Sequence, residues 1–292
     1  MVTMTKKNRL KQLTSKIVPN RIWIQLGFLL IWLDPLGWRF HSVCSPVFHC
    51  YSCPLATFAC PIGVLANFSA LHVFPFITVG MLVLIGILLG SIVCGWACPF
   101  GFLQDLAAKV PTPKFDPPGW TGHFRYAVLV GTVIAVPYLF GEGHWLFVCR
   151  FCPAGALEAA VPNIINRAIA GQEIAWPNAL KLTILALFLM AIFLVRRPWC
   201  RILCPLGAIF ALFNRTSAFF LRFDPDKCNS CERCHKLCEY GIEPEKSPND
   251  LRCVRCLECT ACSTEALTLG SIFEHREETS ATPKPADSSA EI

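Results

Sequence analysis

Long apolar runs alternate with short polar, cysteine-bearing stretches along this 292-residue chain. Four runs, at about 22–38, 73–93, 124–140 and 178–195, approach the roughly 20 residues an α-helix needs to cross hydrocarbon. The second run carries no charge, whereas Asp34-Pro35 interrupts the first. The pattern predicts an all-α membrane protein with four transmembrane helices. Residues 210–223 are apolar but broken by Asn214 and Arg215, which predicts a segment lying along one membrane surface. Residues 274–292 are rich in Glu, Ser, Thr, Pro and Ala and predict a disordered tail.

An apolar content of 54% and a mean hydropathy of +0.48 exclude an ordinary soluble domain. The net charge of +6 does not signal nucleic acid, because the basic residues form no single patch. They sort by membrane side instead. The N-terminal tail carries Lys6, Lys7, Arg9, Lys11, Lys16 and Arg21, and the same side adds Lys109, Lys114, Arg125, Arg196, Arg197, Arg201, Arg215 and Arg222. Only Arg39, Arg150, Arg167 and Lys181 fall on the other side, so the positive-inside rule puts both termini in the cytoplasm. The basic start lacks a small-x-small cleavage site and predicts a retained anchor.

Eighteen cysteines change the picture. Four times the chain writes Cys-Pro-x-Gly, at Cys60, Cys98, Cys152 and Cys204, each time with a second cysteine a few residues upstream. Cys94/Cys98 recur as Cys200/Cys204 after 106 residues, and Cys50/Cys53 as Cys149/Cys152 after 99. The chain therefore reads as two tandem copies of helix, outer cysteine motif, helix and inner cysteine motif. Proline suits the first position of a helix, so each motif predicts a short interfacial helix with cysteine at its N-cap. The helix dipole there predicts thiols that ionise more easily than free cysteine.

On the inner face, Cys94, Cys98, Cys200 and Cys204 form a candidate four-thiolate site for a [2Fe–2S] or [4Fe–4S] cluster or for tetrahedral zinc. Cys50, Cys53, Cys60, Cys149 and Cys152 offer an outer site or a set of disulfides, with Cys44 spare. In the tail, Cys228, Cys231, Cys234 and Cys238 are followed by Cys253, Cys256, Cys259 and Cys262. In two-cluster ferredoxins the fourth cysteine of one group serves the other cluster. Cys228, Cys231, Cys234 and Cys262 are therefore expected to hold one [4Fe–4S] cluster, and Cys253, Cys256, Cys259 and Cys238 a second. Asp105 and Glu158, each in a helix after a cysteine motif, are candidate proton carriers. Interfacial histidines (His41, His49, His72, His123, His144) are candidate haem or quinone neighbours. The expected organisation is a basic tail at 1–21, a membrane domain at 22–223, a cytoplasmic α+β two-cluster ferredoxin domain at 224–273 and a disordered end.

At Cys94-Gly-Trp-Ala-Cys98-Pro, Cys200-Arg-Ile-Leu-Cys204-Pro and the tail cysteines, the chain resembles the NapH family of four-helix membrane polyferredoxins, related to MauN and to the membrane part of NosR. The resemblance implies an electron-transfer subunit of a quinol dehydrogenase in a prokaryotic cytoplasmic membrane. It would link menaquinol or ubiquinol, or an outer redox partner, with cytoplasmic [4Fe–4S] clusters and a partner iron–sulfur protein or cytochrome. The outer motifs are extra to the NapH pattern and imply a different outer partner. A competing reading is a thiol/disulfide or metal-handling factor for redox-enzyme maturation.

Overall fold

The computed structural model describes residues 14–33, 44–48, 50, 58–173, 176–177, 179–238, 240–262 and 264–272. Asp34, His41, His49, Cys53 and the 274–292 end lie outside them. The chain is mostly helical. In order come α1 (Arg21–Trp32), α2 (Pro61–Ala70), α3 (Phe76–Leu89), α4 (Ile92–Trp96), α5 (Pro99–Ala108), the continuous α6 (Gly119–Phe140), α7 (Val161–Ile169), α8 (Ala179–Leu194), α9 (Pro205–Leu212) and α10 (Arg233–Leu237). A two-stranded sheet, β1 (Phe219–Phe223) and β2 (Leu267–Ser271), brackets the tail.

All four apolar runs contain a helix, but their lengths differ from the expectation. Among the described residues only α6, with 22 residues, is long and apolar enough to cross a membrane. Helices α3 and α8 have 14 and 16 residues, about 21 and 24 Å. The apolar run around α3 continues to Val93, yet the helix stops at Gly90, whose φ of +58° ends helical hydrogen bonding. Within α6, residues 129–135 form a π-helical turn just ahead of Pro137, a device that absorbs the missing proline N–H.

These helices are apolar on the outside. α3 buries Thr78, Leu82 and Gly86 and exposes Phe76 (76%), Ile77 (83%), Leu84 and Ile87. Its polar Thr78 faces the bundle while most of its large apolar residues face out, the reverse of a water-soluble helix. Tyr138, Leu139 and Phe140 of α6 and Leu187 and Met190 of α8 extend the exposed apolar surface.

One core runs from Val47, Phe48 and Ile62 through Phe100, Phe188 and Trp199 to Tyr240, Val254 and Cys256. The tail is thus packed into the bundle. The 219–223 stretch, expected to lie along a surface, is instead strand β1, antiparallel to β2 with Phe219 opposite Ser271 and Phe223 opposite Leu267.

Several basic residues counted above as charges on the inner face are bolts inside this junction. Arg125 is buried and donates to the Leu251 carbonyl, and Arg201 donates to the Pro117 carbonyl at 2.8 Å. In the tail itself, Arg255 reaches the Ser217 hydroxyl and the Asn214 and Phe219 carbonyls. Gly90 has room for it, since a Cβ there would stand 2.9 Å from Arg255 Nη1.

Candidate metal centre

Each Cys-Pro-x-Gly motif opens a helix at or beside its proline, and cysteine takes the extended position just before it. At Cys204 the Gly207 N–H points back at the sulfur at 3.4 Å. The motif thus aims both a thiol and a backbone donor at one point.

The two repeats bring Cys94, Cys98, Cys200 and Cys204 into one buried group. Cys204 lies within electrostatic range of Cys200, Cys94 and Cys98, and Cys94 within range of Cys98 and Cys200. Gln104 donates to the Cys200 sulfur at 3.1 Å and accepts from the Trp199 N–H at 3.2 Å, tying the second cysteine pair to α5 of the first repeat. Phe100, Phe188 and Trp199 pack their rings around the group, Phe100 and Phe188 stacked at 5.0 Å.

The expected easy ionisation is not what the surroundings give. Burial pushes the Cys200 thiol up to about 12 and raises Cys94, Cys98 and Cys204 as well. Helix-start N–H groups at Gly101 and Gly207 pull Cys98 and Cys204 the other way and lose to desolvation. Four thiols in this environment give up their protons only to a cation that replaces them, which fits a metal cluster. Among the described residues no three His, Cys, Asp or Glu side chains are grouped to hold a single metal ion.

Beside the group lies a buried charge network that the sequence did not announce. Arg197, 1% exposed, makes a bidentate pair with Asp105 through its Nε and Nη2, and Arg21 adds a contact to Asp105 at 3.1 Å. Gln25 donates to the same carboxylate at 2.8 Å, and Arg197 donates to the Tyr240 hydroxyl at 2.9 Å. Burial pushes the Asp105 carboxyl up, but Arg197 and Arg21 outweigh it and hold the group below its usual range. Asp105 is a fixed counter-ion, which removes it as a proton carrier.

The tail docks directly on the inner group. A Cβ at Gly95 would stand 2.7 Å from the Val254 carbonyl oxygen, so the Cys94-Gly95 step leaves room for tail backbone. Trp96 donates its indole N–H to the Arg255 carbonyl at 3.1 Å, and Ser91 and Asn214 both donate to the Cys253 carbonyl, at 2.8 and 2.7 Å. Of the tail cysteines, Cys238, Cys253, Cys256 and Cys259 come together: Cys259 is in electrostatic range of the other three. Burial raises the Cys253 thiol to about 11 and Cys256 to about 12. Cys234 adjoins this group through Cys259. No described interaction joins Cys228, Cys231 and Cys262 to one another; Cys231 is exposed, and the Cys262 thiol is raised by burial but net lowered by Thr264 and neighbouring N–H groups.

On the far side of Phe48, Cys50, Cys60, Cys149 and Cys152 also converge, within electrostatic range of one another. The repeat equivalence therefore follows Cys-Pro-x-Gly: Cys60 matches Cys152, and Cys50 matches Cys149. The Cys-x-x-Cys spacing of the sequence pointed to Cys53 instead, which lies outside the described residues. Cys44 is separate, its sulfur 3.4 Å from the Thr78 hydroxyl. The outer and inner groups are neighbours rather than sites a bilayer apart, because the Phe48 N–H reaches the Cys98 sulfur while Cys50 sits two residues on. Glu158, the other candidate proton carrier, accepts the Cys50 N–H at 2.8 Å. His72 packs at a tilt against Tyr138, and His144 stacks on Phe140.

Comparison with known proteins finds a family described as a 4Fe–4S binding domain, matched twice, at residues 71–118 and 178–224. Each match contains one inner Cys-x3-Cys-Pro pair, so the duplication and the inner thiols coincide. MJ0750 of Methanocaldococcus jannaschii is 29% identical over 67% of this chain and 79% of its own length. The putative electron transport protein YccM of Escherichia coli is 26% identical over 69% of this chain and 55% of its own. The methylamine utilization ferredoxin-type protein MauN of Methylorubrum extorquens is 29% identical over 63% and 56%. No solved structure matches. With the 4Fe–4S matches falling on both repeats and ferredoxin-type relatives aligning along the bundle, the chain is similar to MauN- and NosR-related iron–sulfur proteins.

Proposed function

We propose that the protein is a multi-pass membrane electron-transfer subunit of the prokaryotic cytoplasmic membrane, with both termini in the cytoplasm. It links the quinone pool, or an outer redox partner, with [4Fe–4S] clusters in its tail. Cys94, Cys98, Cys200 and Cys204 hold one cluster. Cys238, Cys253, Cys256 and Cys259 hold a second, and Cys228, Cys231, Cys234 and Cys262 a third. The single observation that carries this reading is the convergence of four thiols from two repeats directly against the Cys253–Cys256 segment.

A bound iron–sulfur cluster supplies a one-electron carrier that changes charge without making or breaking bonds to substrate. The chain's own groups do the rest. Backbone N–H groups at Gly101 and Gly207 stabilise sulfur charge at the helix starts. Arg197 brings a positive charge beside Cys200, and Asp105 fixes it in place. Phe100, Phe188 and Trp199 exclude water, which strengthens each of these interactions. The apolar outer faces of α3, α6 and α8 support a lipid environment.

The test is reduction of the full chain in proteoliposomes by a quinol analogue, followed by bleaching of the iron–sulfur absorbance and by electron paramagnetic resonance. Reduction on mixing is expected. Clusters that stay oxidised while the outer cysteines cycle between dithiol and disulfide would favour the thiol-handling reading and overturn this one.

A further inference from the structure

We propose that Cys50, Cys60, Cys149 and Cys152 form a further iron–sulfur cluster site, on the opposite side of Phe48 from the inner thiols. The inference rests on the iron–sulfur reading of the chain but concerns residues outside both 4Fe–4S family matches.

The first argument is that the inner cradle is built a second time. Cys98 and Cys204 hold φ/ψ of −78°/119° and −69°/111° just before their prolines. Cys60 and Cys152 hold −72°/122° and −67°/119°. In each of the four motifs the N–H of the glycine three residues on faces the cysteine sulfur. Two such starts, one from each repeat, plus one upstream cysteine from each repeat, make the same four-thiol set at both places.

The second argument is reciprocity. A Cβ at Gly63 of the first repeat would stand 3.8 Å from the Cys149 sulfur of the second. A Cβ at Gly155 of the second would stand 3.5 Å from the Cys50 sulfur of the first. Each motif's glycine faces the other repeat's cysteine, as an approximate two-fold axis through a shared centre requires.

The third is space and charge. The four cysteines line a cavity of about 590 Å³ together with Lys181. Two disulfides need no such space. A cluster with four thiolates carries net negative charge, and Lys181 reaches toward it, its Nζ 3.5 Å from where a Gly155 Cβ would stand. Glu158 accepts the Cys50 N–H at 2.8 Å.

The site also has an outlet. Phe48 packs on Phe100 at 5.6 Å and on Trp199 at 6.3 Å, both in the wall of the inner group. Two residues of chain span about 7 Å at most, so Cys50 is held that close to the residue whose N–H meets Cys98. The exchange this permits is one electron, oxidising the outer cluster as the inner one is reduced, with no proton or bond involved.

The experiment compares full-length, anaerobically purified protein with the Cys60→Ser/Cys152→Ser and Cys98→Ser/Cys204→Ser double variants, measuring iron, acid-labile sulfide, zinc and paramagnetic signals after dithionite. The outer double variant is expected to lose one cluster's complement, about four irons for a cubane, with the other signals retained. Unchanged iron and sulfide in that variant, or zinc in place of iron, overturns the outer site. Unchanged iron in the inner variant as well overturns the broader reading, so the two failures are distinguishable. If the outer variant does not fold, alkylation of wild type decides. Cys50, Cys60, Cys149 and Cys152 should resist maleimide until iron is extracted and react afterwards. Reaction before extraction, or recovery as disulfides from anaerobic protein, refutes the proposal.

Discussion

The inner and outer thiol groups start from one motif, one backbone conformation and one pair of repeats, yet their surroundings diverge. The inner group is closed. Cys94, Cys98, Cys200 and Cys204 are all buried, stacked rings and Gln104 surround them, and the tail seals the face at Gly95. The outer group is half-buried and opens on a cavity with a lysine at its wall. The motif builds the cradle and the packing around it decides what the cradle can meet. A sealed centre exchanges electrons only within the protein, whereas an open one is accessible to an outside partner.

The largest expected effect comes from removing the inner thiols. Cys98→Ser/Cys204→Ser should lose about four irons and also lower the thermal midpoint in detergent sharply, because these sulfurs are part of the core. Cys60→Ser/Cys152→Ser should lose similar iron with a much smaller shift, because its thiols face a cavity. Equal midpoint shifts for the two double variants would erase the contrast.

Next is Asp105→Asn. It leaves Arg197 buried opposite a neutral amide, a loss of about 3–5 kcal/mol for a broken buried pair. The measurement is chemical denaturation in detergent, and an effect below about 1 kcal/mol would show that water already screens the network. The outer group contains no comparable pair among the described residues, so no outer substitution of a single charge should match this effect.

What the sequence disclosed and what it hid follow the same division. Spacing and repetition were enough to group Cys94 with Cys204 and Cys238 with Cys259, because short-range motifs set the backbone that aims those sulfurs. Three features depended on neighbours distant in sequence and stayed hidden. The proximity of Cys60 to Cys152 comes from the packing of the two repeats, which spacing along the chain does not encode. Thiols expected to be acidic at helix starts are raised by burial, which no local motif encodes. Arg125, Arg197 and Arg201, counted by their charge alone, are also internal fasteners. Hydropathy likewise ran past Gly90 because it weighs side chains and ignores the backbone turn that ends α3.

Gly95→Val tests the seal itself. Its first side-chain carbon would meet the Val254 carbonyl at 2.7 Å, so the tail backbone must shift at a cost of about 1–3 kcal/mol. Faster proteolysis of the tail, with the outer group's iron unaffected, is the expected outcome. Wild-type tail protection would mean that the Trp96, Ser91 and Asn214 hydrogen bonds hold the junction without close packing.

The smallest effect belongs to Lys181→Gln, and it addresses the open site most directly. Burial raises the Cys149 thiol and Lys181 offsets part of that rise, so its positive charge is felt at sulfur. A positive charge favours the reduced, more negative form of any centre held there, and removing it should make reduction harder. Because Lys181 is only half-buried, solvent screens it, and the change should stay near or below about 1 kcal/mol, on the order of tens of millivolts for one electron. A redox titration followed by paramagnetic resonance should show one signal moving to lower potential while the signals lost in the Cys98→Ser/Cys204→Ser protein stay in place. Movement of the inner signals instead would mean that Lys181 acts through Phe48 on the closed centre, and that the two groups are electrostatically one site.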